Sequence, residues 1–203
     1  MDVAEPVNDR SHRGLSDRQW RLFACACARR LPSALRGSSG EAIELAERFA
    51  DGWASSHELA SARFGGRFRP GHAGWAVCWA PDEDSARMAQ RAHAWISGCL
   101  GRGGDFEPSF ARGETDDYGL LAEIGGSPGG SPRIDPAWLA HGGGEVVRLA
   151  RSIYDGREWE LMPILGDALE EAGCAVRVVL DHCRGPNDHV RGCWLLDAIL
   201  GQR

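Results

Sequence analysis

The chain has 203 residues, 43% hydrophobic and 26% charged, with a formal net charge of −6. That balance belongs to a globular domain and excludes a disordered or fibrous chain. The acidic excess disfavours nucleic acid as the main partner, because phosphate binding needs a positive field. All 23 basic residues are arginine, which rules out Schiff-base chemistry on lysine.

No apolar run is long enough to cross a bilayer. The start, "MDVAEPVNDR", has no apolar core of the signal-peptide kind. The seven cysteines follow no regular spacing and read as reduced thiols of a cytoplasmic protein, most of them small buried hydrophobes.

Helical periodicity dominates the first quarter. In "SDRQWRLFACACARRL", Ser16 and Gln19 stand at capping-box spacing, and Trp20, Phe23, Ala24, Cys27 and Leu31 form one stripe. Cys25 and Cys27 are two apart and diverge on a helix, so they do not share a ligand. "SSGEAIELAERFADGWA" repeats the pattern. Ser38 and Glu41 cap it, Ala42, Leu45, Ala46, Phe49 and Trp53 face inward, and Glu41, Glu44, Glu47 and Asp51 take the polar side. Ser55 and Glu58 begin a third helix through "SHELASARF".

The middle, residues 65–134, reads as a glycine-rich insertion or variable region within one helical domain. "GGRFRPGHAGWAVCWAP" predicts irregular structure in which Trp75, Cys78 and Trp79 form a hydrophobic plug or line an aromatic pocket. Acids after Pro81 predict a helix through "SARMAQRAHAWISGCL", with His93 on its buried stripe. "DDYGLLAEI" is a further short helical piece, and "GGSPGGSPRIDP" is the clearest linker.

Beyond the linker, Asp135 and Pro136 suit the first positions of a helix. Val146, Leu149, Ala150 and Ile153 share the face of the next, which stops near Gly156. Leu161, Ile164, Leu165, Ala168, Leu169 and Ala172 align up to Gly173; Val176, Val179, Leu180 and Cys183 align up to Gly185-Pro186. "AVRVVL" competes as a strand. Asp188 caps a last helix, "DHVRGCWLLDAIL", apolar on nearly every side and therefore central. The fold class is all-α: about eight short helices in one compact domain, with a C-terminal part in the style of helical hairpins.

Chemistry concentrates in "HCRGPNDHVRGCW", residues 182–194. Three readings compete. On a helix, His189 and Cys193 are four apart and face the same way, a bidentate pair for zinc or another borderline metal. Cys183 would be the third ligand, and Cys27, Cys174 or water the fourth. The second reading is metal-free catalysis: His189, Cys193, Arg184, Arg191 and Asp197 gather an imidazole, a thiol, two cations and a carboxylate near one turn. In the third, these residues are a packed corner serving the fold.

"LFACACARRL" with "AIELAERFADG", and the closing run "DPAWL…VVRLARSIYDG…HCRGPNDHVRGCWLLDAILG", resemble a bacterial family abundant in planctomycetes and other high-GC bacteria. The resemblance spans residues 15–64 and 135–202. Cys27 fits the family's cysteine pattern in the first helix, Ala28 departs from it, and Cys25 is extra. The family brings no assigned activity, so function is read from residues. They point to a module binding a protein or small molecule or, alternatively, to a small zinc-dependent enzyme. Nucleic-acid binding is disfavoured by the acid balance, although an arginine cluster at Arg29, Arg30 and Arg36 could make a local basic patch.

Overall fold

The computed structural model describes residues 15–30, 38–64, 113–126 and 132–202. These form nine α-helices: α1 (Asp17–Arg29), α2 (Ser38–Ala50), α3 (Ser56–Phe64), α4 (Gly113–Gly125), α5 (Pro136–Ala140), α6 (Glu145–Gly156), α7 (Met162–Glu171), α8 (Arg177–Arg184) and α9 (Trp194–Leu200). Two single-turn 3₁₀ pieces, His141–Gly143 and Trp159–Leu161, connect them. The fold is all-α as the periodicity predicts, with no strand among the described residues; Arg177 to Leu180 of "AVRVVL" open α8. The helix expected after Pro81, with His93, and the Trp75–Cys78–Trp79 stretch lie outside the described residues. So do Arg36 and residues 127–131 of the linker. No described helix is long and apolar enough to cross a membrane.

Local chemistry sets the helix starts. Ser16 accepts from the Gln19 amide at 3.3 Å, and Gln19 Oε1 accepts from the Ser16 amide at 2.9 Å, closing the capping box on α1. Ser55 and Glu58 do the same for α3, with amide contacts of 2.7 and 3.1 Å. Asp135 Oδ1 accepts from the Ala137 amide at 2.8 Å, and Pro136 follows it into α5. α6 stops at Gly156 with Arg157 in the left-handed region at φ 56°.

Packing departs from the single stripes. α1 buries seven successive residues, Leu22 to Ala28, because it has neighbours on two sides. Ala24, Cys25 and Ala28 pack on Ala42, Ile43 and Ala46 of α2. Leu22, Phe23, Ala26 and Cys27 pack on Leu120 and Ile124 of α4. A separate, larger core joins α5 to α9 around Tyr154, Leu165, Val179 and Leu195. On α7 the buried face is Met162, Leu165, Gly166 and Leu169, rotated from the expected one, so Ile164 is exposed. Gly166 is placed there by contact: a Cβ on it would lie 2.9 Å from Cys183 Cβ. Trp53, expected inside, lies past the end of α2 and is 46% exposed.

The last helix is also shorter than expected. Asp188 does not cap it; α9 begins at Trp194, and Asp188 is an exposed surface acid paired with Arg30 at 3.3 Å. A β-turn precedes the helix, with the Cys193 amide donating to the Val190 carbonyl at 3.0 Å. Gly192 sits in this turn at φ 88°, and a Cβ there would meet Leu22 Cδ1 at 2.9 Å and Leu22 Cβ at 3.2 Å. A left-handed backbone and a crowded approach both demand glycine, and together they keep the segment from coiling early.

Candidate metal centre

Four side chains from four segments converge beside that turn: Glu123 near the end of α4, His182 in α8, His189 ahead of the turn, and Cys193 at the threshold of α9. One ligand atom from each lies within 4.8 Å of all the others. His182 Nε2 stands 3.2 Å from Cys193 Sγ and 3.7 Å from a Glu123 oxygen. His189 Nδ1 stands 2.9 Å from the other Glu123 oxygen. The two imidazoles meet edge to face, with centroids 5.0 Å apart. Neighbouring donors on a tetrahedral zinc ion are separated by roughly 3.3–3.8 Å, given bonds of about 2.0–2.3 Å. The cluster is already close to that size.

Each donor is held from outside. Glu123 shares a helix face with Leu120 and Ile124, which fix α4 on α1. The Gln19 side chain also donates to the Ile124 carbonyl at 3.1 Å. His182 packs against the Trp194 ring at 4.8 Å, and its backbone carbonyl accepts from the Asn187 amide group at 3.0 Å. The turn through Gly192 brings Cys193 back beneath His189.

All four groups are withdrawn from water: side-chain exposure is 5% for Glu123, 5% for His189 and 10% for His182, and Cys193 is fully buried. Burial, with the Glu123 carboxylate nearby, pushes the Cys193 thiol well up; the Leu195 and Leu196 amides oppose it. Burial also pushes His182 down, against the pull of Glu123. No arginine pairs with Glu123 among the described residues; its partners are the two histidines and the Cys193 thiol. A divalent ion here, with one thiolate, one carboxylate and two neutral imidazoles, would sum to zero charge, which a low-dielectric site favours.

The structure brings His189 and Cys193 together by a tight turn, not by the helical spacing expected of them. His182, not its neighbour Cys183, supplies the donor from α8. Cys183 instead faces the apolar core at Gly166, and burial raises its thiol to about 12. Cys27 and Cys174 are buried in the two hydrophobic cores, so the fourth donor is Glu123. On α4 its place beside Leu120 and Ile124, an acid on an apolar face, was the available signal.

The remaining candidates go elsewhere. Arg184 lies on the surface, paired with Asp167 at 2.6 Å and Glu170 at 2.7 Å. Asp197 meets Arg18 at 2.5 Å, and Arg191 meets Asp51 at 3.1 Å while its guanidinium lies over the Trp53 and Tyr154 rings. The acids expected on the polar side of α2 include two buried ones. Glu47 binds Arg29 and Arg157, and Asp51 binds Arg18 and Arg191. Arg29 and Arg30 of the arginine cluster are thus both paired with acids. "HGGGE" forms a 3₁₀ turn with Gly142, Gly143 and Gly144 at positive φ, without a strand before it.

Compared with known protein families, curated proteins and solved structures, the chain shows no match.

Proposed function

We propose that this is a metal-binding helical protein whose centre, Glu123, His182, His189 and Cys193, takes one zinc-type divalent ion. The carrying observation is the convergence of four donors of the right chemistry, from separate segments, within 4.8 Å. Two imidazoles, a carboxylate and a thiolate suit zinc, or another borderline metal, better than the oxygen-seeking magnesium and calcium. Near-complete burial of all four supports a closed, fold-organising ion. A zinc-dependent enzyme would instead give one position to water and substrate. Glu123 would then be released from the ion to serve as general base.

The test is metal analysis of protein purified with zinc and freed of loosely held ions. One zinc per chain is expected, retained in Cys183→Ala and Arg184→Ala and lost in Cys193→Ala and His189→Ala. Cobalt substitution should give the thiolate-to-cobalt absorption of a tetrahedral site. Wild-type protein that holds no zinc, or a Cys193→Ala variant that holds it fully, would overturn the assignment.

A further inference from the structure

Two sets of apolar side chains in this molecule meet across charged atoms. One set is built by α1 to α4, the other by α5 to α9. The stretch 188–197 lies along α1 in the opposite sense. Asp188 pairs with Arg30 at the end of α1, Gly192 rests on Leu22, and Asp197 pairs with Arg18 in the first turn. Arg18 also donates to Tyr154 of α6 at 2.8 Å, and Tyr154 donates to Asp51 at 2.9 Å. Arg157, after α6, holds Glu44 and Glu47 of α2. Val190 adds an apolar contact to the α1–α4 side. The boundary is otherwise rich in ion pairs. Buried pairs come close to break-even against their desolvation, so such a boundary specifies the fit more than it drives it.

We infer that the ion is the fastening between the two sides: metal occupancy decides whether α1 to α4 stay docked on the C-terminal bundle. This rests on the metal reading above. Glu123 comes from the α1–α4 side, while His182, His189 and Cys193 come from the other. An ion bound by donors from both sides binds the joined state alone, and mass action then adds its binding free energy to the docking. The effect extends beyond the four ligands. Arg191 lies in the turn between two of them, so a turn held by metal also holds its guanidinium over Trp53 and Tyr154 at 5.3 and 5.2 Å and against Asp51. The centre is then a metal-responsive clasp.

Amide hydrogen exchange on the full chain, zinc-loaded and after chelation, tests this. Chelation should accelerate exchange in α1, α4 and residues 188–193 by about tenfold or more and leave amides near Ile153 and Leu165 in α6 and α7 the best protected of the chain. Two results overturn the clasp while leaving the metal site standing: zinc binds but those segments exchange equally with and without it, or after chelation α6 and α7 exchange as fast as α1 and α4. Protein that takes up no zinc removes the metal reading, and the clasp with it.

Discussion

Asp51→Ala should cost about 3–5 kcal/mol of folding stability, the scale expected when one member of a buried charge network is removed. The Asp51 side chain is fully withdrawn from solvent. Its Oδ1 accepts from Arg18 Nε at 3.2 Å, Arg18 Nη2 at 2.9 Å and the Tyr154 hydroxyl at 2.9 Å. Its Oδ2 accepts from Arg191 at 3.1 Å. Without it, Arg18 keeps only Asp197 as a charged partner, whose carboxyl burial already pushes up against the pull of Arg18. Arg191 suffers most, since its buried Nε already lacks a partner within the described chain and only ring stacking would remain. Urea denaturation measures the cost as a lower midpoint at unchanged slope. A loss under about 1 kcal/mol would equate the network with a surface ion pair and refute this account.

Stripping zinc should be the second large effect. With free zinc about 1,000-fold above its dissociation constant, linkage gives about 4 kcal/mol of stabilisation. For a chain of this size that is roughly 8–16 °C in melting temperature. Thermal scans with and without chelator read it directly, and coincident transitions would exclude a stabilising ion. The sign with pH follows from the ligands. The ion needs Cys193 as thiolate and both imidazoles neutral, so protons compete with it and the zinc-dependent increment should shrink as pH falls. Burial raises the Cys193 thiol, so binding near neutral pH displaces a proton from it.

What was legible in the sequence was local. Capping boxes at Ser16 and Ser55, the Asp135-Pro136 start and the stop at Gly156 are decided within a few residues, and they stand where expected. Faces were harder, because a helix between two neighbours has no single stripe: α1 reads as one-sided yet buries Cys25 on α2 and Cys27 on α4. Half of the centre was visible in His189 and Cys193, for an incorrect geometric reason. Helical spacing takes no account of Gly192, whose left-handed backbone makes a turn that returns Cys193 to His189 by a shorter route. Glu123 is 59 residues or more from the other three donors in sequence, and only tertiary packing brings it to them. The same holds for Arg18 and Asp197, which meet across almost the whole chain.

The described cysteines are all buried and none is in a disulfide, and they are distributed with unusual convenience: Cys25 and Cys27 in the first half, Cys174 and Cys183 in the second, Cys193 at the junction. The molecule therefore carries its own set of chemical stopwatches. The order in which an alkylating reagent reaches these sulfurs, resolved by peptide mass, dates the opening of each part without an added probe.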